Sequence, residues 1–314
     1  MMNENDILKA LTNLVNSETR HITMEQAYEN FCTNVINTVR PATLKIYKNK
    51  YEKILRPLFD RLGIVYTNEV TKARYNQMIA IQQNQGYKNS SINKVMDTLK
   101  FIFNINVELE YISTNPIKGI KKLKEQEVKI EIITNNTKDI IYDYLYKLEL
   151  NPFNLRNITA VMLLNDTGLR INELVNLKLK NVYIEKNIIY VDFTKTGKPR
   201  YVFFTDETKF YLSKYITSIE CETEYLFISI NGTKMRVDSV YDFLYKIKKE
   251  CSITQSISPH KWRHTFATSL IEKNVNLHEV MSVLGHTEYS TTKRYLHQKI
   301  ENQRNDILNA ISKK

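Results

Sequence analysis

The chain has 314 residues, of which 42% are hydrophobic and 25% are charged, a composition typical of a globular protein rather than a disordered or fibrous one. It has no run of about 18 or more apolar residues and no apolar signal core after Met1, which argues against a membrane-spanning or secreted protein and favours a cytoplasmic location. The formal net charge of +11 and the pI of about 9.3 favour a polyanionic partner, nucleic acid before an anionic membrane.

The cysteines limit the kinds of site that the chain can build. Cys32, Cys221 and Cys251 are odd in number, far apart and not arranged as a CxxC pair. This pattern disfavours a disulfide framework and a thiolate metal site. The sequence therefore predicts three reduced thiols, buried or half-buried, and no metal centre.

The first part of the chain is predicted to be helical throughout. Residues 1–20 form an N-terminal helix or extension, and residues 21–116 form a helical bundle. Thr23 and Gln26 make a capping-box start for the first helix of the bundle. The other helix boundaries are marked by small polar residues or glycine, with starts at Thr43, Thr71 and Ser90 or Ser91, and ends before Gly63 and at Gly86.

A linker is predicted between two domains. Asn115 and Pro116 stop the helical pattern, and residues 117–131 are rich in lysine and glutamate with little apolar periodicity. We interpret this segment as an exposed linker. Three of its basic residues are candidate phosphate contacts, with a solvated charged surface as the alternative: Lys118, Lys121 and Lys122.

A second domain is predicted over residues 132–297, followed by a helical tail over 298–314. Helices are expected at 137–149 and 155–166, then a short helix through Leu177, and again from Val237 onward, apart from a loop at 251–259. Two strands, Ile188–Phe193 and Tyr201–Phe204, flank a turn that contains Lys195. A second hairpin is predicted at Leu226–Ile230 with Asn231-Gly232 as its turn. The fold class is therefore mainly α with a small β-sheet (α+β), preceded by a separate helical bundle.

Four short segments contain basic residues, and three of them also contain a glycine. They are Thr167–Leu174, Thr194–Lys198, His260–His264 and Leu284–Tyr295. Each is weak alone, because a glycine turn or a histidine pair has many ordinary uses. Together, in this order, and with Tyr295 nine residues after His286, they resemble the motifs of the tyrosine recombinase or phage integrase family, Xer-like or from a mobile element. The N-terminal bundle resembles, more loosely, the SAM-like core-binding domain of that family.

The chemistry of the motif residues agrees with the resemblance. Transfer of a phosphodiester builds negative charge on its nonbridging oxygens. A catalyst for this reaction therefore needs fixed cations, an in-line nucleophile and a proton source for the leaving oxygen. A guanidinium is always charged and binds phosphate through two donors. The implied phosphate-binding residues are Arg170 and Arg263, with His286 as a further hydrogen-bond donor. His260 would bind the phosphate or accept the proton of the nucleophile. Tyr295 would attack the phosphorus, and Lys195 would donate a proton to the leaving oxygen. Lys198 shares the turn of Lys195 and is a candidate DNA contact, and Glu173 is expected to orient a cationic neighbour.

The resemblance also implies partners. The expected substrate is double-stranded DNA with inverted-repeat core sites, bound by a homotetramer that integrates, excises or resolves DNA through a 3′-phosphotyrosine. The tail either covers its own domain or docks on a neighbouring protomer, and an accessory directionality protein is compatible with this scheme. Neither ATP, metal nor other cofactor is expected, since the phosphotyrosine keeps the bond energy.

Three alternatives remain at this point. A type IB topoisomerase shares the chemistry but acts as a monomer, which the amphipathic tail argues against. A DNA-binding protein with the same fold but no activity would not need the complete set of motif residues. A zinc hydrolase would use His260 and His264 at i and i+4, but Lys261 stands where such a site needs glutamate.

Overall fold

The computed structural model describes residues 22–125, 131–194 and 197–285. The chain divides into two compact units, Met1–Val128 and Lys129–Lys314, and this boundary falls inside the segment 117–131. The expectations for 1–20 and for the tail at 298–314 lie outside the described residues. Within those residues, no helix is both long enough and apolar enough to cross a membrane.

The described part of the first unit is a helical bundle of α1 (Met24–Val35), α2 (Pro41–Lys50), α3 (Arg56–Leu62), α4 (Lys72–Asn84) and α5 (Asn89–Glu108). Thr23 and Gln26 form the predicted capping box of α1. One π-helical turn, Tyr51–Leu55, joins α2 to α3, where Pro57 has no N–H to continue the ordinary helical pattern. Helix α2 begins at Pro41, so the predicted start at Thr43 was wrong by two residues. The predicted end of this helical segment before Gly63 is confirmed.

The described part of the predicted linker packs on the first unit. Ile117 is fully buried in its core, and the side chain of Asn93 exchanges two hydrogen bonds of 2.9 Å with the backbone of Leu123. The prediction of an exposed linker was wrong for 117–125, because its apolar residues recur at three-residue spacing and cover α5. Its lysines still point outward, and Lys122 forms a surface ion pair with Asp97 at 2.6 Å.

The second unit places a three-stranded antiparallel sheet among helices, and its fold confirms the predicted class. Its elements are α6 (Asn135–Tyr146), α7 (Pro152–Thr167), α8 (Ile171–Leu174), β1 (Val182–Tyr183), β2 (Ile188–Val191), β3 (Arg200–Phe203), α9 (Asp206–Thr217), α10 (Val237–Glu250), α11 (Pro259–Glu272) and α12 (Leu277–Leu284). The strand order is β1-β2-β3, with Val191 opposite Arg200. Helix α7 is buried along most of its length and forms the centre of this core.

Two local predictions for the second unit needed correction. The turn at Asn231-Gly232 exists, with Gly232 at φ +73°, but an isolated bridge between Ile228 and Lys234 replaces the predicted strand pairing. The thiol of Cys221 is exposed rather than buried or half-buried, since it lies in the loop after α9.

Candidate active site

Arg170 is held in place by a glycine turn and a very short helix. Helix α7 ends at Thr167, and Gly168 caps it with φ +57°. A Cβ at Gly168 would lie 2.4 Å from the ring of Phe266, so this turn needs glycine for both its conformation and its packing. Arg170 then becomes the N-cap of α8. The sequence Thr167-Gly168-Leu169-Arg170 thus sets a basic side chain at a fixed point between two helices.

Glu173 is a buried carboxylate that bridges two arginines. It is 2% exposed, and its Oε2 accepts a hydrogen bond from the backbone N–H of Arg170 at 2.9 Å. Its Oε1 accepts from Nη1 of Arg170 at 2.9 Å and from Nη1 of Arg200 at 3.1 Å. Burial by itself would raise the pKa of Glu173, but the hydrogen bonds and charges of Arg200 and Arg170 outweigh it and hold the pKa below its usual range. Glu173 is therefore ionised and is hydrogen-bonded to both the backbone and the side chain of Arg170.

Arg200 is a residue of this site that the sequence analysis did not identify. It is 8% exposed and pairs with Glu173 a second time, through Nη2 and Oε2 at 2.7 Å. One signal was available: Val202 faces the core, and alternation along β3 puts Arg200 on the same face. A cation on an inward face needs a buried acceptor, which Glu173 supplies.

Arg263 and His260 lie one turn apart on α11. Arg263 is 4% exposed, and it donates from Nη1 to the carbonyl of Gly168 at 2.7 Å and from Nη2 to the carbonyl of Leu284 at 2.5 Å. His260, at the start of the helix, is exposed. The neighbouring Trp262 is fully buried, as expected for a core residue, and Lys261 pairs with Glu131 at 2.9 Å. The helix thus presents His260 outward and Arg263 inward.

The carbonyl groups at the carboxyl end of α12 accept hydrogen bonds from the arginines of the site. Nε of Arg200 donates to the carbonyl of Val283 at 2.6 Å, and Arg170 reaches the carbonyls of Leu284 and Gly285 at 3.4 Å each. The last carbonyls of a helix carry partial negative charge, so cations stabilise them. All three guanidiniums donate to this helix end, and those of Arg170 and Arg200 also pair with Glu173. The chain continues from Gly285 directly to His286.

The structure describes some of the predicted site residues. Arg170, Glu173, His260 and Arg263 come from distant parts of the sequence and lie in one region of the second unit. Lys198 is exposed on the segment between β2 and β3. Three of the predicted site residues lie outside the described ranges: Lys195, His286 and Tyr295. Within the described ranges, no three side chains of the metal-binding types gather in one place.

The titration of His260 gives a first prediction. Partial removal of water, followed by the charges of Arg263 and Arg170, lowers its pKa from the ordinary 6.5. The imidazole is therefore neutral at pH 7 and able to accept a proton. We expect an NMR titration to place the His260 pKa below 6.5, and Arg170→Ala to move it upward because one positive charge is lost. An unchanged His260 curve in the variant would contradict this electrostatic coupling.

The sequence matches the phage integrase family over residues 131–302. The chain is 40% identical over 152 residues to the tyrosine recombinase XerA of Saccharolobus solfataricus, a match that covers 48% of this chain and 49% of that protein. It is 28% identical over 260 residues to the tyrosine recombinase XerC of Vibrio cholerae serotype O1, covering 81% of this chain and 82% of that one. This chain thus spans about half of the first relative and most of the second.

The fold is also similar to that of a solved structure, the Tn1549 transposon integrase in complex with a circular intermediate DNA. The TM-score is 0.70 at 20% identity, and the match covers 86% of this chain and 94% of that one. The family match takes in more than half of the chain and includes the segments that carry Arg170, His260 and Arg263. The protein therefore belongs to the phage integrase family and is a tyrosine recombinase.

Proposed function

We propose that this protein recombines DNA at specific sites by cutting and rejoining strands through a covalent bond between a 3′ phosphate and Tyr295. The observation that carries the proposal is that Arg170 and Arg263 both donate to the carboxyl end of α12, with His260 one helical turn from Arg263 on α11. Arg170 comes from one motif and His260 and Arg263 from another, and the helix end leads directly into the segment with His286 and Tyr295. A phosphate is the substrate group that such a cationic cluster suits best.

The arginines would act on the nonbridging oxygens of the scissile phosphate. The side chain of Arg170 is 22% exposed, so it is the guanidinium that a substrate reaches first. Arg263 is more deeply buried and adds positive charge behind it. Fixed cations in a site that excludes water stabilise developing charge without reorganising. Glu173 and the carbonyls of Leu284 and Gly285 hold the Arg170 guanidinium in place while its side chain stays partly exposed.

In the proposed reaction, one bond to phosphorus forms as another breaks. The Tyr295 hydroxyl oxygen attacks phosphorus, and its proton passes to neutral His260. The bond from phosphorus to the 5′ oxygen breaks, and Lys195 gives that oxygen a proton. The products are a 3′-phosphotyrosine and a free 5′ hydroxyl. Attack by a 5′ hydroxyl from another strand reverses these steps, so the phosphodiester is restored without an energy source.

The proposed partners follow from the charge of the chain and from its family. Duplex DNA is supported by the net charge of +11 and by the DNA present in the structure of the Tn1549 integrase. Inverted-repeat sites, a tetramer on paired sites and an accessory directionality protein rest on the family resemblance. Lys118, Lys121, Lys122 and Lys198 are exposed and are proposed as phosphate contacts, with Lys122 already paired to Asp97.

The test uses duplexes selected by this protein from a random-sequence library, each then nicked beside the cleavage position. Cleavage releases a short fragment whose loss prevents rejoining, so the covalent complex accumulates. We expect the wild-type protein to form an adduct that resists denaturant. Binding of the selected duplex without any adduct would refute the proposed chemistry while leaving DNA binding intact.

The role of Lys195 gives a second prediction. An alkoxide is a poor leaving group and needs a proton as its bond breaks, whereas a thiolate does not. Lys195→Ala is therefore expected to slow cleavage of ordinary DNA by roughly 10²-fold or more, and to lose most of this defect on DNA with sulfur at the bridging 5′ position. Lys198→Ala is the matched control and should show no such dependence. Equal defects of Lys195→Ala on both substrates would mean that Lys195 positions DNA instead.

A further inference from the structure

We propose that Arg200 is a positioning residue that fixes Arg170 and the carboxyl end of α12 relative to each other. The inference rests on the proposed function, because the groups it aligns are the ones assigned to phosphate transfer. Arg200 belongs to none of the motif positions from which the site was predicted. Its role follows from its contacts.

The guanidinium of Arg200 is engaged on two sides. Nη1 and Nη2 donate to the two oxygens of Glu173 at 3.1 and 2.7 Å. Nε donates to the carbonyl of Val283 at 2.6 Å. The guanidinium thus acts as a planar fork of donors that joins the carboxylate of Glu173 on α8 to the last turn of α12. No other side-chain type offers donors in this geometry.

The packing around Arg200 leaves it little freedom. A Cβ at Gly285 would lie 3.0 Å from Nη1 of Arg200, and Gly285 also has φ +64°. Glycine is needed here both for the backbone conformation and for the close approach of the guanidinium. Gly285 is the residue directly before His286, so the position of Arg200 bears on where that segment of the chain begins.

The backbone of Arg200 is fixed as well. It is the first residue of β3 and is paired with Val191 of β2, so Arg200 and Val191 enclose the segment that carries Lys195. One residue is therefore connected to three parts of the proposed machinery. Its backbone bounds the segment of Lys195, its fork reaches Arg170 through Glu173, and its Nε holds the helix that precedes His286.

Loss of this fork has a specific consequence. Glu173 would keep its charge but lose one of its two arginines, so Arg170 would be drawn toward the vacated carboxylate oxygen. At the end of α12, the carbonyl of Val283 would lose the hydrogen bond that Nε of Arg200 donates to it. Small displacements of groups around a reacting centre cost about 10²-fold in rate. A lysine at position 200 keeps the charge, but a single ammonium cannot reproduce the fork.

The experiment compares Arg200→Lys, Arg200→Met and a matched control, Arg156→Lys. Arg156 is another buried arginine of the same unit, 6% exposed, and it holds Asn157 and the carbonyl of Ile228. For each protein we measure thermal unfolding, affinity for the selected duplex, and the single-turnover rate of cleavage at saturating protein. We expect both Arg200 variants to bind DNA within about twofold of wild type and to cleave about 10²-fold more slowly, whereas Arg156→Lys cleaves at the wild-type rate.

A double-mutant cycle separates positioning from a general loss of structure. If Arg200 acts through Arg170, adding Arg200→Lys to Arg170→Ala lowers the rate by much less than the product of the single defects. Gly285→Ala, which pushes on Nη1 of Arg200, should couple to Arg200→Lys in the same way, and it keeps the test available if Arg200→Met does not fold. Multiplicative defects, or wild-type cleavage by Arg200→Lys, would overturn the inference. Failure of the wild-type protein itself to cleave would instead refute the proposed function.

Discussion

Tyr295→Phe is expected to abolish the covalent protein–DNA adduct and to reduce strand cleavage by roughly 10³-fold or more. The substitution removes one hydroxyl oxygen, which is the atom proposed to attack phosphorus, and leaves the aromatic ring. Affinity for the selected duplex should stay within a few-fold of wild type, because binding depends on many phosphate contacts rather than on this hydroxyl. The adduct is measured by its resistance to denaturant on a nicked duplex.

Tyr245→Phe is the matched control for this variant. The chain has 20 tyrosines, and Tyr245 on α10 of the second unit is 70% exposed, so its hydroxyl faces solvent. It should form adduct at the wild-type rate. An adduct that persists in Tyr295→Phe would assign the nucleophile to another residue.

Arg170→Ala is expected to slow cleavage by about 10²- to 10³-fold, as the loss of one preformed charge-stabilising donor does in other enzymes. The defect should depend on the charge of the substrate. When a methyl group replaces one nonbridging oxygen of the scissile phosphate, that phosphate is neutral and needs the guanidinium much less. We therefore expect the ratio of wild-type to variant rates to fall to roughly tenfold or less on this DNA.

The control for this comparison is Arg236→Ala. Arg236 has an 80% exposed side chain and pairs with Asp238 at the start of α10, so it matches the loss of charge without touching the cluster. It should behave as wild type on both substrates. If Arg170→Ala were equally defective on charged and neutral DNA, Arg170 would support the structure of the site rather than bind the phosphate.

The sequence predicted those features that local rules determine. Thr23 with Gln26 and Thr71 begin helices because their side chains satisfy free backbone N–H groups. Gly63 ends one because it adopts a positive φ. Arg170, Glu173, His260 and Arg263 were identified from their motifs, and the structure brings them together. Their assigned roles remain predictions.

The features that were missed depend on contacts between distant residues. Nothing near Arg200 in the sequence reveals that Glu173 and the carbonyl of Val283 lie beside it. The packing of Ile117 into the first unit was hidden by the surrounding lysines, which gave the segment the composition of a linker. The predicted turn at Asn231-Gly232 is present, but the predicted strands beside it are not. Strand pairing depends on partners that the turn itself does not specify.

The central claim is that Tyr295 becomes joined to a 3′ phosphate, and mass spectrometry of the trapped adduct tests it most directly. The wild-type protein is trapped on a nicked selected duplex and digested with protease and nuclease. The account predicts one peptide whose added mass is a nucleotide 3′ phosphate on Tyr295, and a free 5′ hydroxyl on the released strand. A nucleotide on any other residue, or a protein linked to the 5′ end of the DNA, would contradict it.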